Sequence, residues 1–512
     1  MQTSKYRYRI LALLFVATTI NYMDRSIIGV LGPTLQYKVF NWSDVDYANI
    51  NISFKVAYAL GMLSMGAVID KLGSRIGYAV SIIIWSVFGM LHAVIQPAFG
   101  LIGFILARFG LGLGEAGNFP AAIKTVAEWF PKNDRAFATG IFNAGSNVGA
   151  VLAPLAIPLV VASNGDNWQY AFLLTGVFSF IWVILWLRFY KSPELHPKVS
   201  ADELKYIQSG QNQDTSLELE KLSWKKVLPL RETWAFAIGK ITDAAWWFYL
   251  FWGGKFLFDQ FGLNIKKLAL PLMVIYLIAD VGSIAGGWVS KYFIDKGWSI
   301  NKARKTTLFL CTLFILPVMF TTQIKTSFVV DDQLLAKMAT ATITESVNDQ
   351  DVEVVVPAEV LTNLEVLKGK TYDNARSFNS AIKSALGEEY AIKMESNLMD
   401  GARSNNWYWL AVLIIAFAAG GHQAFSANLL TIPSDLFPKR AVASVVGIGG
   451  MIGALSGLVA DFSLGQILQA SGTAGYFFAF LGAGLVYLIC LAIIHFLTPN
   501  MTPLNNNLKK QI

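Results

Sequence analysis

Twelve stretches of this 512-residue sequence stay apolar over about the length that crosses a bilayer, which takes roughly 18 helical residues. They cover residues 10–32, 48–70, 76–96, 99–121, 136–160 and 168–190, then 234–257, 268–292, 306–321, 406–429, 441–464 and 474–497. Charged residues make up only 15%, against about 25% in soluble domains. A β-barrel would show short alternating segments instead. The pattern predicts an all-α polytopic membrane protein with 12 transmembrane helices in two six-helix bundles.

The predicted domains are an N-terminal bundle over 1–190, a polar linker over 191–231 and a C-terminal bundle over 232–512. The linker holds Pro193, Pro197 and the Gln/Asn-rich stretch around Gln208–Gln213. Lysine and arginine mark the cytoplasmic side of a membrane protein. Here they gather in the loops after the even-numbered stretches: Lys71 and Arg75, Lys132 and Arg135, Lys296 to Lys305, and Lys439 with Arg440. Both termini and the linker fall on that side. Lys5, Arg7 and Arg9 precede the first stretch, which reads as an uncleaved first helix. Residues 322–402 break the rhythm: seven basic residues against thirteen acidic ones give a net of −6, on the opposite, extracytoplasmic side. This insertion has a strand-like run at Val352–Val356 and a helix-like one at Ser377–Leu386. It reads either as a tolerated loop insertion or as a small folded cap.

The two halves repeat. Trp129-Phe130-Pro131-Lys132 and Arg135-Ala136 precede a helix with Gly140, Gly145 and Gly149. Leu436-Phe437-Pro438-Lys439 and Arg440-Ala441 precede one with Gly447, Gly449, Gly450 and Gly453. Related halves around a midplane site are the usual build of an alternating-access carrier.

Charges inside apolar stretches are costly and mark polar routes. Asp24 and Arg25 lie in the first stretch, Arg108 and Glu115 in the fourth. Arg108 and Glu115, seven residues apart, share a helix face about 10 Å apart. They either face one cavity or tie helices together as an ion pair. An arginine matches a carboxylate bidentately, so Arg25, then Arg108, are the candidates to hold an organic anion. A carboxyl in drying surroundings can take up a proton, so Asp24 and Glu115 are the proton-coupling candidates, with a structural tether the other reading of Asp24. Tyr22, Tyr58, Asn143, Ser146 and Asn147 are polar residues that suit hydroxyl groups or interhelical bonds. In the second half, Lys240 and Asp243 are spaced to pair. Trp246, Trp247, Tyr249 and Trp252 suit a carbohydrate face, a gate or an interfacial belt. Gln423 and Ser426 can share a cavity face, beside His422 and Asn428. Gly66, Asp70, Gly73 and Arg75 form a loop that suits a hinge or latch without touching a solute.

Cys311 and Cys490 both lie in apolar runs, which argues against a disulfide framework. Four scattered histidines and two cysteines supply no nucleophile–base set and no metal cluster, so neither an enzyme nor a metal or other cofactor is expected. The +7 charge is dispersed among helix ends and is no nucleic-acid signal.

Asn21-Tyr22-Met23-Asp24-Arg25 resembles the first-helix signature of the anion:cation symporter family of the major facilitator superfamily. Gly66–Gly77 resembles the superfamily's loop signature. Arg108–Pro154, with Gly-Glu-Ala-Gly-Asn-Phe-Pro, Glu-Trp-Phe-Pro and Gly-Ile-Phe-Asn-Ala-Gly-Ser-Asn-Val-Gly-Ala, is similar to hexuronate transporters, which import glucuronate and galacturonate with protons. Trp246–Trp252 and His422–Asn428 extend the match, which covers the chain except 322–402 and the linker. The resemblance implies the superfamily fold and proton-coupled import across the inner membrane, by a functional monomer. It implies Arg25 on the substrate carboxylate, Asp24 and Glu115 as the protonatable pair, and Tyr58, Arg108 and Asn428 around the cavity. Close relatives carry aldonates, the alternative substrate class. A non-transporting receptor for the same anions would bind and signal without accumulation.

Overall fold

The computed structural model describes residues 5–131, 134–162, 165–209, 224–347, 350–505 and 507–509. Lys132, most of the Gln208–Gln213 stretch, and the side chains of Lys439 and Arg440 lie outside what is described.

The first half comprises α1 (Tyr6–Thr34), α2 (Asp44–Leu91), α3 (Gly100–Glu115), α4 (Asn118–Trp129), α5 (Arg135–Val160) and α6 (Gln169–Phe189). The linker contributes α7 (Ala201–Gln208) and α8 (Trp224–Val227). The second half begins with α9 (Arg231–Gly239), α10 (Asp243–Phe261), α11 (Ile265–Asp295) and α12 (Ile300–Ile315). After the insertion come α16 (Tyr408–Leu429), α17 (Ile432–Leu436), α18 (Lys439–Ser471) and α19 (Tyr476–Leu497). Among the described residues, nine helical segments are long and apolar enough to cross a membrane. One of them, Ser444–Leu497, holds most of α18 and all of α19. Of the stretch 48–70 only residues 64–70 fall within one of the nine, and 234–257 falls within none; the parts outside carry Lys55, and Lys240, Asp243 and Lys255.

Local sequence explains the breaks. A capping box starts α2: the Ser43 hydroxyl accepts from the Asp46 N–H at 3.1 Å, and the Asp46 carboxylate accepts from the Ser43 N–H at 3.0 Å. Gly73 sits inside α2 with φ +74°, a left-handed conformation that costs other residues, and turns the chain where the loop motif predicts it. The stretch 99–121 lies within one membrane-crossing segment, Pro97–Trp129, in which the chain turns at Ala116–Gly117, directly after Glu115.

The halves meet where α1 packs on α10, α2 on α18 and α5 on α11. At the α1–α10 crossing a β-carbon on Gly29 would lie 2.3 Å from the Leu250 carbonyl oxygen, and one on Gly254 2.4 Å from that of Gly29. Only glycine lets the two backbones come so close. The polar bonds across this seam gather towards the insertion. Tyr47 donates to the Phe251 carbonyl at 2.6 Å, and Asp44 N–H to Gln469 at 3.2 Å. Buried Lys255 reaches Asp259 at 2.6 Å and Asp44 at 3.0 Å.

The insertion holds α13 (Asp332–Ala339), α14 (Ala358–Glu365) and α15 (Ala375–Ala402). It also holds the strands found among the described residues: β1 (Phe328–Val329) pairs with β4 (Thr371–Tyr372), and β2 (Thr342–Val347) with β3 (Gln350–Val355), both antiparallel. It has its own apolar core, including Phe328, Leu334, Phe378, Ile382 and Leu398. Towards the second half, Arg403 donates to the carbonyls of Phe261 and Gly262 at 3.1 Å. Towards the first half, Glu395 pairs with Lys38, Arg376 reaches Asp44 at 2.9 Å, and Lys383 donates to the Tyr37 carbonyl at 3.2 Å. Burial opposes the charge on Arg376, but Tyr37, Asp259 and Asp44 outweigh it and hold its pKa above the ordinary arginine value.

Candidate functional site

A cavity of about 300 Å³ lies between the halves. The first half gives it Tyr22 and Arg25 from α1, Tyr58 from α2, and Asn143, Ser146 and Asn147 from α5. The second half gives it Lys240, Asp243, Trp246, Trp247 and Leu250 around the start of α10, Ser283 from α11, and His422, Gln423 and Ser426 from α16. The faces expected from spacing are therefore the faces presented: 143 with 147, and 423 with 426.

Arg25 is the cation of the first-half wall. Its Nε and Nη2 both lie 2.9 Å from Oε2 of Glu115, and the two side chains are 3% and 0% exposed. Tyr22 and Tyr58 flank the guanidinium, with ring centroids 4.5 and 4.8 Å away. Such faces favour a cation. Glu115 ends α3, and the arginine contact offsets part of the cost of burying its carboxylate. Oε1 of Glu115 has no hydrogen-bond partner among the described residues.

The opposite wall is built on a helix break. Between α9 and α10 the chain makes a 3-10 turn over Lys240–Thr242. Lys240 Nζ lies 2.5 Å from Asp243 Oδ2. Trp246 stacks on His422 with centroids 5.7 Å apart and an interplanar angle of 9°, and the Nδ1 of His422 is 2.7 Å from the Tyr487 hydroxyl.

Three expected wall residues lie elsewhere. Arg108 is wholly buried behind the wall, over the Phe54 ring at 4.6 Å, and its three guanidinium nitrogens have no hydrogen-bond partner among the described residues. Arg108 therefore does not make the intrahelical pair with Glu115 that its spacing allows. Tyr249 is buried one helix position away from the cavity face. Asn428 binds α16 to α11 by donating to the Gly286 carbonyl at 2.8 Å, and lies near Arg304 at 3.5 Å. Asp24 is also behind the wall, against Thr175 and Ser179 of α6, and its Oδ2 has no hydrogen-bond partner among the described residues. In the loop motif, Asp70 pairs with Lys124 at 3.0 Å and Arg75 donates to the Leu187 carbonyl at 2.7 Å; Gly66 lies in α2, with open space around it. This cluster stays within the first half, away from the cavity.

Sequence reading missed Ser283 and a second buried pair. Lys55 of α2 lies 2.5 Å from Asp461 of α18, whose other oxygen accepts from the Trp252 indole at 3.0 Å. The cost of a charge in an apolar stretch, applied to 48–70 and 441–464, would have found both partners.

The repeat is visible in the contacts. Glu128, before Trp129-Phe130-Pro131, accepts from Ser74 in the α2 turn at 2.7 Å. Asp435, before Leu436-Phe437-Pro438, accepts from Arg304 at 3.0 Å, near the α11–α12 turn. Residues 14–341 match the family model described as Major Facilitator Superfamily. The chain belongs to the Major Facilitator Superfamily. Membership makes it a multi-pass membrane transporter and not an enzyme. It is similar to the galacturonate transporter of Dickeya chrysanthemi, 34% identical over 315 residues, which are 60% of this chain and 89% of that one. It is also similar to the D-galactonate transporter of Escherichia coli O6:H1, 31% identical over 320 residues, 60% of this chain and 72% of that one. Among solved structures, a bacterial homolog to the human lysosomal transporter Spinster, inward-facing and occupied, superposes with a TM-score of 0.66. It covers 97% of this chain and 98% of that one at 15% identity, which speaks to the superfamily fold alone.

Proposed function

We propose that this superfamily member is a proton-coupled symporter of sugar acids, working by alternating access between two six-helix bundles of 12 spans in all. The observation that carries the reading is the Arg25–Glu115 contact at the cavity wall. A substrate carboxylate and the Glu115 carboxylate compete for one guanidinium. Protonating Glu115 removes the competitor and the charge, so proton and anion favour each other's binding. When the anion leaves, Arg25 returns to Glu115 and expels the proton. Asn143, Asn147, Gln423 and Ser426 supply donors and acceptors for hydroxyls, and Trp246 an apolar sugar-ring face. Asp24, behind the wall, is a second proton site acting on Arg25 only indirectly.

Hexuronates are the first reading of the substrate, supported by the galacturonate relative; aldonates are the second, supported by the D-galactonate relative. The protein sits in the inner membrane as a functional monomer, with the linker and both termini on the cytoplasmic side, where Lys71, Arg75, Lys296, Lys302, Arg304 and Lys305 lie. The seam bonds near the insertion then close the outer side. The test is uptake into proteoliposomes under an imposed proton gradient, with glucuronate, galacturonate and galactonate as substrates. Uptake that ignores the gradient, or that takes none of these anions, overturns the reading.

A further inference from the structure

The proposed function leaves one feature of the cavity unused, the ion pair on its second-half wall. Lys240 and Asp243 line the same cavity as Arg25, and their side chains are 11% and 21% exposed. They sit at opposite ends of the 3-10 break. Lys240 follows the C-terminal end of α9 and Asp243 opens α10, so each charge has the sign its helix end favours. The neighbouring α18 is pared to glycine against the pair. A β-carbon on Gly453 would lie 2.8 Å from Asp243 Oδ2, and one on Gly449 would lie 3.1 Å from Lys240 Cγ. The α18 backbone therefore packs directly against the pair.

Charge balance then discriminates among sugar acids. Arg25 with Glu115 is neutral, and so is Lys240 with Asp243. A monocarboxylate arriving with one proton on Glu115 leaves the cavity neutral. A sugar dicarboxylate of the same length brings a second negative charge to the far wall. There the only cation on that wall among the described residues, Lys240, is already occupied by Asp243, and His422 is committed to Tyr487 and Trp246. An uncompensated charge in such a cavity is expensive. A hydroxyl-bearing end costs nothing comparable, because a paired lysine and aspartate offer it both donor and acceptor.

We propose that Asp243 is a specificity-determining residue: by occupying Lys240 it makes the cavity select sugar monocarboxylates over sugar dicarboxylates. The inference rests on the sugar-acid reading above. It is tested by competition uptake in proteoliposomes, with galacturonate as the monocarboxylate and galactarate as the dicarboxylate. Wild type is expected to favour galacturonate. Asp243→Asn frees Lys240 and is expected to shift the ratio towards galactarate by about tenfold or more, the scale on which pocket contacts discriminate. Asp243→Glu should keep the wild-type preference. A wild type that prefers galactarate overturns the inference, and so does an Asp243→Asn ratio within about twofold of wild type. If Asp243→Asn does not fold, Lys240→Gln with Asp243→Asn removes the pair without orphaning a charge. That double variant leaves no cation on the second-half wall among the described residues, so it is expected still to favour galacturonate over galactarate; a ratio shifted about tenfold towards galactarate overturns the proposal. A wild type that transports neither anion instead sinks the sugar-acid reading itself, so the two failures are distinguishable.

Discussion

Arg25 and Glu115, ninety residues apart in the chain, share a contact in which two guanidinium nitrogens lie 2.9 Å from one carboxylate oxygen. The arginine faces the cavity and the glutamate stands behind it. Burying such a pair is costly, and removing one partner costs more than removing both. Arg25→Ala is therefore expected to abolish galacturonate binding and to destabilise the protein by about 3–5 kcal/mol, because Glu115 is left unpaired. Arg25→Ala with Glu115→Gln should recover most of that stability but none of the binding. Thermal unfolding and titration calorimetry on purified protein read the two effects separately. Unchanged affinity in either variant counts against the role of Arg25.

Glu115→Gln fixes the neutral form at that position. It should abolish accumulation driven by a proton gradient, while anion exchange between equal pools continues at a rate close to wild type. Binding should also lose its dependence on pH. Normal gradient-driven accumulation by the variant would move the coupling elsewhere, with Asp24 next in line.

Lys55 and Asp461 join α2 to α18 across the seam, each 2% exposed. Lys55→Met should lower stability by about 3–5 kcal/mol, and Lys55→Met with Asp461→Leu should recover much of it. Melting curves of the three proteins in detergent decide the matter. A double variant no more stable than Lys55→Met would mean that the pair does not act as a unit.

The insertion is fastened to both halves, so the first-half bonds must release before the seam can part on that side. Replacing Glu395 with lysine sets it against Lys38. This change should raise labelling of a cysteine placed at buried Ala48, next to Gly465 on the seam, several-fold. Combining it with Lys38→Glu restores the pair and should restore protection. Equal labelling in all three proteins would leave the insertion as a passive appendage.

Much of this site was legible because intramembrane charges are rare enough to stand out. Asn143 and Asn147, and Gln423 and Ser426, line one cavity, since a helix fixes the angle between residues three or four apart. The same rule put Arg108 and Glu115 on one side of α3, yet it could not say which neighbour each would meet. Arg108 lies over Phe54, and Glu115 turned to Arg25 on another helix. Tyr249 failed for a related reason, since it neighbours wall-forming Leu250 in sequence but faces the core.

Apolar length, helical periodicity and charge placement along the chain specify the membrane class, the helical stretches, the repeat of the two halves, and the small set of charges too costly to be idle. Those follow from local quantities: transfer of apolar length out of water, helix periodicity, and glycine at a positive φ in the α2 turn. The tertiary structure alone decided the partners. It set Arg25 on Glu115, Lys55 on Asp461 across 406 residues, and Lys240 with Asp243 opposite Arg25 on one cavity. Partner choice depends on how far each helix is rotated and slid against its neighbours. Those quantities are fixed by close packing of whole surfaces, such as the glycine contact between α1 and α10, and no local pattern encodes them.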